Sequence, residues 1–195
     1  NIQPHMMDID GDGQMEIIIV ETKGSLALLK VLHVTPEGKF AVSSLGEGAF
    51  PTQLGDTKLT ALVDGDKRRI VLLTQENGKD PIVHLISESG ALLHKLTLYP
   101  TTPGKPLEVK WLTLASLSHD RSDGARLLMS IYDAHGSQRS LHSYRVTDSA
   151  FESEWSQSLG IPLSFRGGFL INMDQDPDLE IAIEGGGGLY IFNKD

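Results

Sequence analysis

A nine-residue acidic loop that runs straight into a β-branched strand occurs twice in this chain, once near each end. Asp8-Ile9-Asp10-Gly11-Asp12-Gly13-Gln14-Met15-Glu16 precedes Ile17-Ile18-Ile19-Val20, and Asn172-Met173-Asp174-Gln175-Asp176-Pro177-Asp178-Leu179-Glu180 precedes Ile181-Ala182-Ile183. The two segments align without a gap. Each is followed by a Gly-containing turn and another strand-like run, Leu26 to Val31 in the first case and Leu189 to Phe192 in the second. Two eroded copies lie between them: Leu62 to Arg69 before Ile70-Val71-Leu72-Leu73, and Leu117 to Gly124 before Leu127 to Ile131. Anchors near residues 10, 64, 120 and 174 recur about every 55 residues, and self-similarity at such a period marks a repeat architecture.

Each repeat reads as four short strands. The first offers about Gln3 to Met7, Glu16 to Glu21, Ser25 to His33 and Lys39 to Ser44, with Pro36-Glu37-Gly38 as a turn. The second offers Leu59 to Val63, Ile70 to Gln75, Ile82 to Ser87 and Leu92 to Leu98. Trp111 to Ser116, Arg126 to Tyr132, Arg139 to Val146 and Glu152 to Leu159 make the third, and the fourth ends after three strands at Phe192. No segment sustains a 3.6-residue apolar period, so the chain is expected to be all-β. Four-stranded units of this length point to blades of a β-propeller.

The loops carry the chemistry. Carboxylates at positions 1, 3, 5 and 9 with Gly at position 6 match the spacing of a calcium loop, in which alternate residues turn hard oxygen donors toward one point. The expected Ca2+ ligands are Asp8, Asp10, Asp12, the Gln14 carbonyl and Glu16. An EF-hand is excluded, because position 12 is Ile19 and a strand follows rather than a helix. Magnesium suits the loop less well, since it favours a near-ideal octahedron with retained waters. The second loop offers Asn172, Asp174, Asp176, the Asp178 carbonyl and Glu180, with Pro177 in the Gly position, where φ > 0 is closed to it. Asp64/Asp66 and Asp120/Asp123 are weaker sites. Arg68 and Arg69 stand where acidic ligands belong, so that loop is expected to hold itself together with its own charges.

The run of strand, Asp-x-Asp-Gly-Asp-Gly-x-x-Glu, Ile-Ile-Ile, Gly turn and strand resembles the FG-GAP/VCBS repeats of integrin alpha-chain-type propellers. The resemblance is specific over Asp8 to Val31 and Leu170 to Phe192; the family usually has Asp where Glu16 and Glu180 stand. It implies about three and a half blades, near 1–56, 57–108, 109–165 and an incomplete 166–195. Such a count does not close a ring. Missing upstream blades, which would make this half of a larger propeller, or a homodimer are the two expected remedies. Family members act in adhesion, as lectins and as recognition domains, so the resemblance implies a non-enzymatic, calcium-stabilised module for protein or glycan partners. The alternatives are the propeller portion of a calcium-dependent polysaccharide-active enzyme, or an architectural spacer.

Composition narrows the classes further. The net charge of −9 disfavours nucleic acid and anionic membranes as partners, since both need a basic surface. The absence of cysteine removes disulfides and thiolate metal sites, which fits a bacterial exported, cell-surface or periplasmic protein and equally a cytosolic one; the exported, extracellular location is the one expected here. No apolar stretch reaches the length of a membrane span. Gly185 to Gly188 precedes a strand and no Lys-Ser/Thr follows it, so it reads as a hairpin turn and not a phosphate loop. Trp111 is expected in the core, whereas Trp155, between Glu154 and Ser156 on an outer strand, is the better placed of the two for a partner.

Overall fold

The computed structural model describes residues 4–52, 57–76, 79–98, 107–117, 124–133, 138–159, 167–174, 176, 178–185 and 188–193. These residues form four antiparallel sheets and no helix. The first sheet is β1 (His5–Met7), β2 (Glu16–Lys23), β3 (Leu26–Val34) and β4 (Phe40–Pro51). The second is β5 (Lys58–Asp64), β6 (Lys67–Thr74), β7 (Ile82–Ile86) and β8 (Leu92–Thr97). The third is β9 (Leu107–Ala115), β10 (Arg126–Asp133), β11 (Gln138–Val146) and β12 (Phe151–Leu159). The fourth has three strands, β13 (Gly167–Ile171), β14 (Glu180–Gly185) and β15 (Gly188–Phe192). In every sheet each strand pairs with its neighbours in sequence, and no sheet closes on itself. No helix among the described residues is long and apolar enough to cross a membrane.

The chain divides into two compact units. Asn1–Tyr99 with Asp148–Ala150 makes one, and Pro100–Thr147 with Phe151–Asp195 makes the other. In the first unit two sheets share a core in which Met7, Ile18, Leu29 and Val31 meet Leu59, Ile70, Leu72 and Ile86. The period-2 alternation of β2 buries Ile18 while leaving Ile17 and Ile19 less covered. On β6, Ile70, Val71, Leu72 and Leu73 are all buried, so this strand is covered on both faces and reads as an unbroken apolar run.

The expected strands are found with three larger differences, the first that β6 begins at Lys67, three residues before the expected Ile70. β9 begins at Leu107, four residues early, and β4 runs to Pro51 where the alternation ends at Ser44. The reason in β4 is a register shift: Lys30 pairs with Ser44 but Leu28 pairs with Ala49, so residues 45–48 stand opposite Leu29 alone. This bulge, rich in glycine, ends the sequence pattern without ending the strand.

His84 on β7 is 2% exposed, with Nε2 2.9 Å from Thr74 Oγ1 and its ring 4.7 Å from that of Phe50. Burial, aided by the charge of Lys95, lowers its pKa to about 4. The folded value lies below the unfolded one, so between pH 6.5 and 4 the unfolded chain binds a proton that the native chain refuses. Stability is therefore complete above pH 6.5 and falls as the pH drops toward 4, by about 3 kcal/mol. Urea midpoints of His84→Gln across that window are expected to lack this share of the acid loss.

In the second unit Leu117, Leu128, Leu141, Leu159, Ile181 and Ile183 form the core, and Trp111, Trp155 and Phe192 pack against it. Trp155 is thus half-buried, part of its indole packed on this core and part left at the surface. Ser143 pairs with Trp155 and Tyr144 with Ser153, so Glu154 is an extra residue that brings Trp155 onto the face of Ser143 and Leu128. Gly168 lies under the indole of Trp111, where a Cβ would come within 2.9 Å of Cδ2. Gly168→Ala is expected to displace Trp111 and destabilise the unit by about 1–3 kcal/mol, read from denaturant midpoints and a shift in tryptophan emission.

Candidate metal centre

The first acidic loop joins β1 to β2 and is fastened by its own side chains. Asp8 accepts the Gly11 N–H at Oδ1 (2.6 Å) and the Gly13 N–H at Oδ2 (3.1 Å). Asp10 Oδ1 accepts from Asp12 N at 3.1 Å, and Asp12 Oδ1 from Gln14 N at 2.7 Å. Glu16 closes the loop by accepting the Ile9 N–H at 2.8 Å. Gly13 has φ 86°, a left-handed conformation that an L side chain adopts rarely, which is why glycine suits this turn.

Carboxylate oxygens of Asp8, Asp10 and Glu16 all lie within 4.8 Å of one another. Glu16 is 6% exposed, its one hydrogen bond is to Ile9 N, and it has no ion-pair partner among the described residues. A buried carboxylate beside two others, with no cationic side chain on it, is unfavourable unless a cation compensates it. The trio can hold a metal ion. Asp12 is not among the converging atoms; both its oxygens accept from Gln14, the second from Nε2 at 2.8 Å.

The loop between β13 and β14 repeats this geometry. Glu180 accepts from Met173 N at 2.7 Å, Asp174 from Asp176 N at 2.9 Å and Asp176 from Asp178 N at 2.8 Å. Oxygens of Asp174, Asp176 and Glu180 converge within 4.8 Å, and Glu180 is 4% exposed. The first position differs. Asn172 Nδ2 donates to the carbonyls of Asp176 (2.6 Å) and Asp178 (3.3 Å), so amide hydrogens meet the seventh-position carbonyl that a cation would use. A metal here needs the amide turned over to present Oδ1. Pro177 lies outside the described residues, as do Asp120 and Asp123.

The second repeat does not hold itself together with its own charges. Asp64 pairs with Lys67, leaving only Gly65-Asp66 as the turn, too short for a nine-residue loop. Side chains on β6 alternate between faces. Lys67 and Arg69 both reach Asp148 Oδ1 at 2.5 Å, and these two contacts hold the Asp148 carboxyl below its usual range. Arg68, although its Nη1 also meets Asp66 O at 3.3 Å, extends to the first loop. Its Nε donates to Asp8 O at 2.6 Å and its Nη2 stands 3.8 Å from Asp8 Oδ2. A basic run in place of acidic ligands was the one sequence signal for this strut. Arg68→Met is expected to lower the metal-free melting temperature through loss of a bond worth about 1–2 kcal/mol. It should also enlarge the calcium-induced rise, since a positive charge leaves Asp8; melts with and without chelator test both.

No protein-family model matches the sequence, and neither does any curated protein. Among solved structures the fold is similar to that of the Bacillus licheniformis rhamnogalacturonan lyase PL11, with a TM-score of 0.59 and 18% sequence identity. The likeness covers 94% of this chain and 39% of that one, so the chain spans well under half the length of the lyase.

Proposed function

We propose that this chain is part of a calcium-stabilised β-propeller of the FG-GAP/VCBS type that recognises a protein or glycan partner, outside the cell or at its surface, without catalysing a reaction. The observation that carries this reading is Glu16, buried without an ion-pair partner beside the Asp8 and Asp10 oxygens. The donor set is all oxygen and loop-borne, which suits calcium better than the rigid octahedron of magnesium. Calcium bound there would supply charge neutralisation; the chain's own part is to pin the β1–β2 turn so that the loops beside it keep a fixed arrangement. Completion of the ring by further blades or by a second copy belongs to the same reading.

The likeness to a polysaccharide lyase favours a second reading, in which the chain is a portion of a polysaccharide-active enzyme. Turnover of an acidic polysaccharide separates that reading from saturable binding without turnover. The metal is tested first by thermal melts in calcium, in magnesium and in chelator. Calcium at a hundredfold excess over its Kd adds about 2.7 kcal/mol, a rise of roughly 5–10 °C for a chain of this size. A melting temperature indifferent to chelation sinks the proposal.

A further inference from the structure

The first and last repeats build equivalent rows of side chains, yet neighbouring sheets cover them on opposite faces. Ile17 corresponds to Ile181 when the two loops and their strands are aligned. In the fourth sheet Leu170, Ile181 and Phe192 stand side by side across three strands and pack in the core shared with the third sheet. The corresponding row of the first sheet is Met6, Ile17 and Leu32, continued by Val42 on β4. This row is as apolar but open: Ile17 and Leu32 are only half-buried, Met6 is 65% exposed and Val42 61%. Phe40, in the next row beside Val34, is 76% exposed. On the other face the roles are reversed. Ile18 and Val31 are buried in the core shared with the second sheet, whereas Phe169 and Ile191, which flank the corresponding Ala182, are exposed.

We infer that these two open faces dock on each other between copies of this chain, the first sheet of one copy receiving the fourth sheet of another. This deepens the completion by a second copy within the proposed reading, yet it stands on packing and not on metal. A contiguous exposed apolar face marks an interaction surface. In the last repeat the equivalent row is covered by the face of a neighbouring antiparallel sheet, the packing in which inward rows interdigitate. One chain thus holds a face that lacks the sheet before it and another that lacks the sheet after it, and a second copy offers each the surface it is without. Charge agrees. Lys23 and Lys30 outnumber Glu21 on the open face of the first sheet, while Glu184 is the exposed charge on that of the fourth. The contact is heterologous, because the two patches differ.

The test is sedimentation equilibrium of the intact chain at micromolar concentration, in calcium and in chelator, with two variants. Val42→Asp marks the first face and Ile191→Lys the fourth; both positions are exposed on edge strands, so the fold accepts a charge there. The wild type is expected to show the mass of two or more chains in both buffers. Each variant alone is expected to be monomeric, its association weakened about a hundredfold, because every contact would bury an added charge against a face of like sign. An equimolar mixture is expected to restore association, since the intact fourth face of Val42→Asp meets the intact first face of Ile191→Lys, and that recovery also shows both variants to be folded. A wild type that is monomeric in both buffers overturns the inference and leaves the metal reading standing. So does a mixture of folded variants, checked by circular dichroism, that stays monomeric, or either variant associating by itself as the wild type does. Association that persists while the melting temperature ignores chelation removes the metal reading and leaves this one.

Discussion

Glu16→Gln is expected to abolish the calcium-induced rise in melting temperature while leaving the metal-free protein as stable as the wild type, or more so. The amide keeps the shape of the side chain and can still accept the Ile9 N–H that Glu16 accepts at 2.8 Å. What it removes is a negative charge that is 6% exposed and has no cationic side chain on it. Neutralising an uncompensated buried charge relieves the metal-free fold, whereas a calcium ion loses one of its anionic donors. The affinity is expected to fall by about a hundredfold, on the order of 2.7 kcal/mol. Glu180→Gln is the control, because Asn172 already satisfies the carbonyls of its loop, and it should leave tight calcium binding intact. Calorimetry and melts on both variants check the pair; a Glu16→Gln chain that binds calcium as the wild type does would remove Glu16 from the site.

The second large effect lies where two backbones touch. Gly90 has φ 80°, and a Cβ on it would sit 2.5 Å from Leu45 C and O and 2.6 Å from Gly46 N. None of these atoms belongs to a side chain that can swing away. A left-handed alanine costs about 1–2 kcal/mol and overpacking a further 1–3, so Gly90→Ala is expected to lose about 2–5 kcal/mol. Gly38→Ala isolates the backbone share, since Gly38 has φ 75° but nothing within 4 Å of its virtual Cβ, and about 1–2 kcal/mol is expected there. Urea unfolding compares the two. Equal losses would mean that the β4 bulge and the β7–β8 turn are not in the contact described.

The strand rhythm was legible because turn residues and alternating apolar positions are local signals. The same holds for the loops: identical spacing of carboxylates gives both loops the same three hydrogen bonds, from positions 2, 5 and 7 to the side chains at 9, 3 and 5. What escaped the sequence was set by bulges and by distant partners. Residues 45–48 interrupt the alternation of β4 without ending it. Glu154, an extra residue opposite β11, sends Trp155 inward although polar neighbours flank it. Arg68 reaches Asp8 across 60 residues, and no local pattern encodes that pairing. Spacing also named Asp12 as a ligand, whereas the oxygens that converge belong to Asp8, Asp10 and Glu16; counting carboxylates does not reveal which of them turn toward one point.

The central claim, that calcium is held by Asp8, Asp10 and Glu16, is tested most directly by a calcium titration followed through backbone amide resonances. The amides of Ile9, Gly11 and Gly13 hydrogen-bond to Glu16 and Asp8, so they report on the carboxylates that would bind. Calcium is expected to shift these three first and saturably, with Met173 and Asp178 of the second loop responding only at higher concentration. Amides that stay in place across the titration, or a response that begins elsewhere in the chain, would contradict the account.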